Sequence, residues 1–297
     1  MKRIILLLCA LLGAVPVQAA VKVFACEPEW GSLVKEIGGD DVDVFTATTA
    51  LQDVHQIQAR PSLIAQLRKA NLLVCTGAGL EIGWLPVLLG RAGNPAVQTG
   101  TPGNLATSDS VALLNKPDHV DRAEGDVHPD GNPHIHLDPR NLLPIAQAIA
   151  DRLAQLDAGH ADAYAGRLKD FDARWNAALA KWDSAAESLK GMPVVVHHDG
   201  WVYLNNWLGL RQVGELEPKP GVPPTSAHLS ELLTQLKQTP PRAVIRSSYQ
   251  DPRASEWLAG KINVAAVQLP YSVGADAQTG DLFGLFDEII AKLKAVP

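Results

Sequence analysis

The segment GHADAYAGRLKDFDARWNAALAKWDSAAESL, Gly159 to Leu189, decides the architecture. It contains no proline and is rich in Ala, Lys, Asp and Leu. Tyr164, Leu168, Phe171, Trp175, Leu179, Trp182 and Leu189 recur at steps of three, four or seven, so the spacing predicts one long helix with a single apolar stripe. At about 1.5 Å per residue such a rod runs roughly 45 Å, enough to cross two lobes. The 297-residue length fits two lobes of roughly 150 residues.

Short β-branched runs alternate with helix-like stretches on both sides of the rod. Upstream, strands are expected at Val21–Ala25, Val42–Thr46 and Leu72–Cys75, and helices at Glu29–Ile37, Ser62–Lys69, Ile82–Leu89 and Leu142–Leu156. Asp138 and Pro139 supply a cap and a first-turn proline just ahead of the last of these. Downstream, strands are expected at Pro193–Val196, Arg211–Glu215, Ala243–Ser247 and Val264–Leu269. Helices are expected there at Trp201–Leu208, Ser226–Gln238, Pro252–Gly260 and Asp281–Leu293. This alternation argues for an α/β chain of two parallel-sheet lobes joined by one long helix. The expected division is residues 20–157 for the first lobe, 158–190 for the linking helix and 191–297 for the second lobe. Gly100 to Pro133 is the one long stretch without periodicity, and a loop of that length in a compact domain is usually functional or disordered.

The first nineteen residues have the form of a secretory leader. Lys2 and Arg3 precede an apolar run from Ile4 to Val15, and Val17-Gln18-Ala19 offers a small-x-small cleavage site. The run is too short to span a bilayer. Cys9 is a poor lipidation site, because Leu8 stands where a small residue is wanted. A soluble periplasmic protein cleaved after Ala19 is therefore expected. In that oxidising compartment the remaining pair, Cys26 and Cys75, favours a disulfide if their strands are parallel neighbours, with two buried free thiols as the alternative. With 26 basic against 32 acidic residues, nothing suggests a phosphate-binding face, which argues against nucleic acid.

The histidines carry the chemistry. His55 follows the second strand, His134 precedes the capped helix, His198 ends the first strand of the second lobe, and Asp276 follows its last. In parallel α/β sheets ligands gather beyond the carboxyl ends of strands. Three imidazoles and a carboxylate converging there would form a closed N/O site suited to Zn²⁺, in the cleft between the lobes. His197 should point away from His198 by the period-two rule. Asp53 is either an acceptor orienting His55 or a turn residue. His128 either lies at the mouth of the site or belongs to a solvated turn. His119, His160 and His228 read as surface residues without a role. His134-x-His136-x-Asp138 leaves open a zinc-dependent hydrolase, although Pro139 stands where that motif continues with His.

Asp53-x-His55 after a strand, Asn132-Pro133-His134 before a helix, and His198-Asp199-Gly200 after a strand occur in this order. Glu217-Pro218-Lys219-Pro220-Gly221 then precedes Thr225-Ser226-Ala227-His228-Leu229. With these motifs the chain resembles the periplasmic metal-binding components of ABC importers, the zinc and manganese branch with a rigid linking helix. The resemblance runs over nearly the whole mature chain. It implies one carried metal held by His55, His134, His198 and a carboxylate, Asp276 or the nearby Asp281, and a monomer that meets a membrane permease. It also implies that His136 packs where the family often has an aromatic. Zinc is the expected cargo because three neutral imidazoles suit it better than manganese, which remains the alternative within the family.

Overall fold

A computed structural model describes residues 19–297 except Val120, Arg122 and Glu124; the expected leader, apart from its last residue Ala19, lies outside the described residues. In the first lobe β1 (Val21–Ala25), β2 (Val42–Thr46), β3 (Leu72–Cys75) and β4 (Asn104–Ala106) form a parallel sheet in the order β2-β1-β3-β4. In the second, β5 (Pro193–Val196), β6 (Arg211–Glu215), β7 (Ala243–Ser247) and β8 (Ala265–Leu269) repeat that topology as β6-β5-β7-β8. The central strands are apolar because helices cover both faces of each sheet. In the first lobe these are α1 (Pro28–Gly38), α2 (Pro61–Leu67) and α3 (Leu85–Ala92).

Two longer helices follow, α4 (Leu142–Leu156) and the rod α5 (Ala161–Ala186). The second lobe adds α6 (Val202–Leu208), α7 (Ser226–Leu236), α8 (Pro252–Ile262) and α9 (Leu282–Lys294). The apolar stripe of α5 is buried from Tyr164 to Trp182, and one continuous hydrophobic core runs along it through both lobes. Trp175 packs on Phe171, Trp182, Phe283 and Phe286 and donates its indole N–H to the Pro139 carbonyl at 2.8 Å. Arg167 pairs with Asp41 in the first lobe, whereas Lys181 and Trp182 bond Asp287 on α9. The rod is thereby fixed to both lobes.

Three local expectations change. The helix has 26 residues between short 3-10 turns at Ala158–His160 and Glu187–Leu189, so it runs nearer 39 Å at about 1.5 Å per residue. His160 is not idle, because its Nδ1 bonds Asp157 at 2.7 Å just ahead of α5. The aperiodic stretch contains β4, whose three residues are too few to show a period and which forms by pairing with β3 at Leu73↔Asn104, Val74↔Leu105 and Cys75↔Ala106.

β1 and β3 are parallel neighbours, and the disulfide Cys26–Cys75 joins their carboxyl ends with the Cα atoms 4.8 Å apart. No helix among the described residues is long and apolar enough to cross a membrane.

Candidate metal centre

His55 lies in the turn Val54–Gln56 beyond β2. Asp53 caps that turn: its Oδ1 accepts the His55 backbone N–H at 3.0 Å and meets the ring Nδ1 at 2.9 Å. A carboxylate can only accept, so Nδ1 carries the hydrogen and Nε2 keeps its lone pair. That Nε2 is buried and has no protein partner. Asp53 is therefore both turn residue and orienting acceptor, and its carboxyl is held below the ordinary value because the bonds to His55 outweigh the effect of burial.

His198 follows β5 and repeats the device, donating Nδ1–H to Glu217 Oε2 at 2.8 Å. Burial would lower its pKa, but the hydrogen bond and charge of Glu217 prevail and hold it above the ordinary value. Gly200 completes the His-Asp-Gly run because the Tyr271 hydroxyl comes so close that a Cβ there would clash. His197 is turned aside, buried, with Nε2 4.0 Å from Glu217.

His134 reaches the site differently from the other two. No strand ends beside it; a strap of more than twenty residues carries the chain from β4 to Asn132. The Asn132 side chain accepts the His134 backbone N–H at 3.0 Å and donates to the Asp199 carbonyl in the other lobe at 2.7 Å. This explains the Asn-Pro-His run: the amide aims the third residue and stitches the lobes beside it. Both ring nitrogens of His134 are buried without a partner. Burial first, then the neighbouring imidazoles, keep this ring neutral far below the ordinary histidine value.

One nitrogen from each of His55, His134 and His198 lies within 4.8 Å of the other two. The three ring centroids form a nearly equilateral triangle, 5.4, 5.6 and 5.6 Å on its sides. Around a tetrahedral zinc with bonds of about 2.0–2.1 Å, ligand atoms stand roughly 3.3 Å apart. The triangle needs only a small contraction to close on one cation. A cavity of about 90 Å³ opens from it between His128, His134, His198, Asn132, Asp199 and Pro220. Asp53 and Glu217 face another way, into a groove of about 690 Å³ shared by the two lobes.

The fourth candidate does not join them. Asp276 is exposed, and its Oδ1 accepts the backbone N–H groups of Gln278 and Thr279, both at 3.1 Å. Asp281 is likewise occupied, capping α9 through Gly284 N–H at 2.8 Å. What the end of β8 presents instead is Tyr271, whose ring lies 5.6 Å from that of His134. The sequence offered no period or spacing that would single out Tyr271. Glu217 stood in a recognised motif without a role assigned to it.

The His-x-His-x-Asp run splits. His136 donates Nε2–H to the Tyr271 carbonyl at 2.9 Å and sets Nδ1 3.4 Å from Glu29, which also accepts from the Ser272 hydroxyl. Asp138 accepts from the Arg140 backbone at 3.0 Å and guanidinium at 2.8 Å. Neither side chain joins the group of ring nitrogens that His134 forms with His55 and His198, which removes the geometric basis of the hydrolase reading.

Residues 23–296 match the family profile of ZnuA, the periplasmic component A of the zinc-uptake complex. The zinc-binding lipoprotein AdcA of Streptococcus pneumoniae R6 is 25% identical over 243 residues, covering 78% of this chain and 45% of that protein. The chain thus spans less than half the length of that relative. The manganese ABC transporter substrate-binding lipoprotein PsaA of Streptococcus anginosus is 23% identical over 274 residues, covering 89% of this chain and 84% of PsaA. In fold the chain is similar to a crystal structure of ZnuA, with a TM-score of 0.76 at 24% identity, over 92% of this chain and 99% of that one.

Proposed function

The chain belongs to the family of periplasmic zinc-uptake component A proteins, and on that premise we propose that it is an exported carrier that captures one Zn²⁺ between its lobes and hands it to the permease of an ABC-type importer. His55, His134 and His198 each offer one neutral ring nitrogen to the ion. The observation that carries this reading is the set of buried, unpartnered nitrogens on His55 and His134, facing the ring of His198. A buried polar atom without a partner is costly, and a cation is the partner that this donor type prefers. Three imidazoles favour zinc over manganese, which favours oxygen.

Asp53 and Glu217 fix the tautomers, make the imidazoles better donors, and lie on the groove side where exchanged protons can leave. The metal is cargo, so turnover is not expected, and the carrier works as a monomer without a nucleic-acid partner. Metal analysis of exported protein purified without added metal tests the reading. One zinc per chain is expected, lost in His198→Ala; no bound metal, or hydrolysis of ester, lactam or phosphoester substrates by loaded protein, overturns it.

A further inference from the structure

Three imidazoles leave a tetrahedral ion one position short, and neither carboxylate after β8 is available to fill it. From the geometry we infer that His128, carried on the strap between β4 and His134, is the fourth ligand of the bound cation, so that the closed site is an all-imidazole set. This deepens the zinc-carrier reading and rests on it.

The first support is position. The His128 ring centroid lies 5.4 Å from that of His55, as near as that of His134, and 6.4 Å from that of His134. It stands across the small cavity that opens from the triangle. The second is an orphaned atom: His128 Nε2 is buried and has no hydrogen-bond partner, like Nε2 of His55 and of His134.

The third is how the ring is held. Its other side rests on the turn after β3, where a Cβ on Gly79 would sit 3.4 Å from Nδ1. Gly77, Ala78 and Gly79 all have positive φ, at 79°, 50° and 82°. For alanine this region is uncommon and costs energy, and such strain concentrates where a site needs a particular backbone geometry. The turn is locked by Glu81, whose carboxylate accepts the N–H groups of Thr76 at 2.7 Å and Gly77 at 3.1 Å. A strained turn thus backs the ring of His128 on the side away from its orphaned Nε2.

The carboxylates expected from the sequence are engaged elsewhere: Asp276 and Asp281 are spent on their own turns. The strap is also pinned to the second lobe: Asp126 N–H bonds the Pro220 carbonyl at 2.9 Å, and Lys219 Nζ bonds the Ala123 carbonyl at 2.7 Å. Gly221 N–H reaches the same Glu217 oxygen that holds His198, at 2.8 Å. The cations selected are those that prefer four nitrogen donors, zinc or cobalt over manganese.

Zinc K-edge X-ray absorption of the zinc-loaded full chain, with chelator competition, tests this. Wild type should show four imidazoles. His128→Ala should keep one zinc per chain, show three imidazoles plus a light oxygen scatterer, and bind zinc at least about tenfold more weakly. Asp276→Ala should change neither count nor affinity. Three imidazoles with one carboxylate in wild type, unaltered in His128→Ala, would overturn the inference while leaving the carrier reading intact. A wild-type chain that takes up no zinc would overturn both.

Discussion

His198 Nδ1 stands 2.8 Å from Glu217 Oε2, and through Gly221 N–H the same carboxylate oxygen holds the segment to which the strap is pinned. One acidic residue thus sets the basicity of an imidazole and the position of the cover over it. Because Glu217 holds His198 above the ordinary histidine value, His198 takes up a proton while the pH is still above about 6.5. A protonated ring cannot bind, so zinc affinity should begin to fall above that pH as acid is added. Glu217→Gln should weaken zinc binding by about 10–100-fold at pH 7.5 and move the acid limb to lower pH. Titration against a chelator from pH 8 to 5.5 reads both effects. An acid limb that does not move would separate Glu217 from His198 in function.

His134 and His136 should behave oppositely although two residues apart. His134→Ala removes a ring with two unpartnered buried nitrogens and should cost orders of magnitude in zinc affinity. His136→Phe should leave affinity within about tenfold, roughly 1.4 kcal/mol. It should nevertheless lower stability by about 1–3 kcal/mol, because the Tyr271 carbonyl loses a buried partner. Calorimetric titration and urea unfolding measure the two quantities separately.

The Cys26–Cys75 bridge closes a loop of 49 residues. In the chain-entropy model this contributes up to roughly 4 kcal/mol. A Cys26→Ala/Cys75→Ala variant should therefore unfold at lower urea, and wild type should show no free thiol under denaturing conditions. Two free thiols per exported chain would contradict the bridge.

Glu81 is buried, and its loss of hydration pushes its carboxyl up to about 7; the nearby Glu27 is raised well above its ordinary value by burial and by Glu81. A carboxyl raised in the folded state favours folding while protonated. That stability is present below the unfolded-state value near 4.5 and is lost as pH rises through about 7. Glu81→Gln, which stays neutral and can still accept from Thr76 and Gly77, should match wild type near pH 5 and exceed it at pH 8. Thermal melting at the two values reads the difference, and an equal change at both would mean that Glu81 is not protonated in the fold.

Local pattern was enough for the framework. The stripe from Tyr164 to Trp182 fixes a rod, and the β-branched runs around it fix two parallel sheets, because burial on a helix face or a covered sheet leaves a period that the chain itself records. The same holds for Asp53-x-His55, whose orienting bond lies within two residues. Asp276 and His128 lay beyond that reach. Whether a carboxylate faces a cleft or caps its own turn depends on backbone direction after β8, and Gln278 and Thr279 claim it locally. Whether His128 is a solvated loop residue depends on a turn about fifty residues earlier in sequence, strained at Ala78, and on Pro220 in the other lobe. Contacts between segments distant in sequence leave no period in either of them, so only the packed chain decides which loop histidine meets the imidazole triangle.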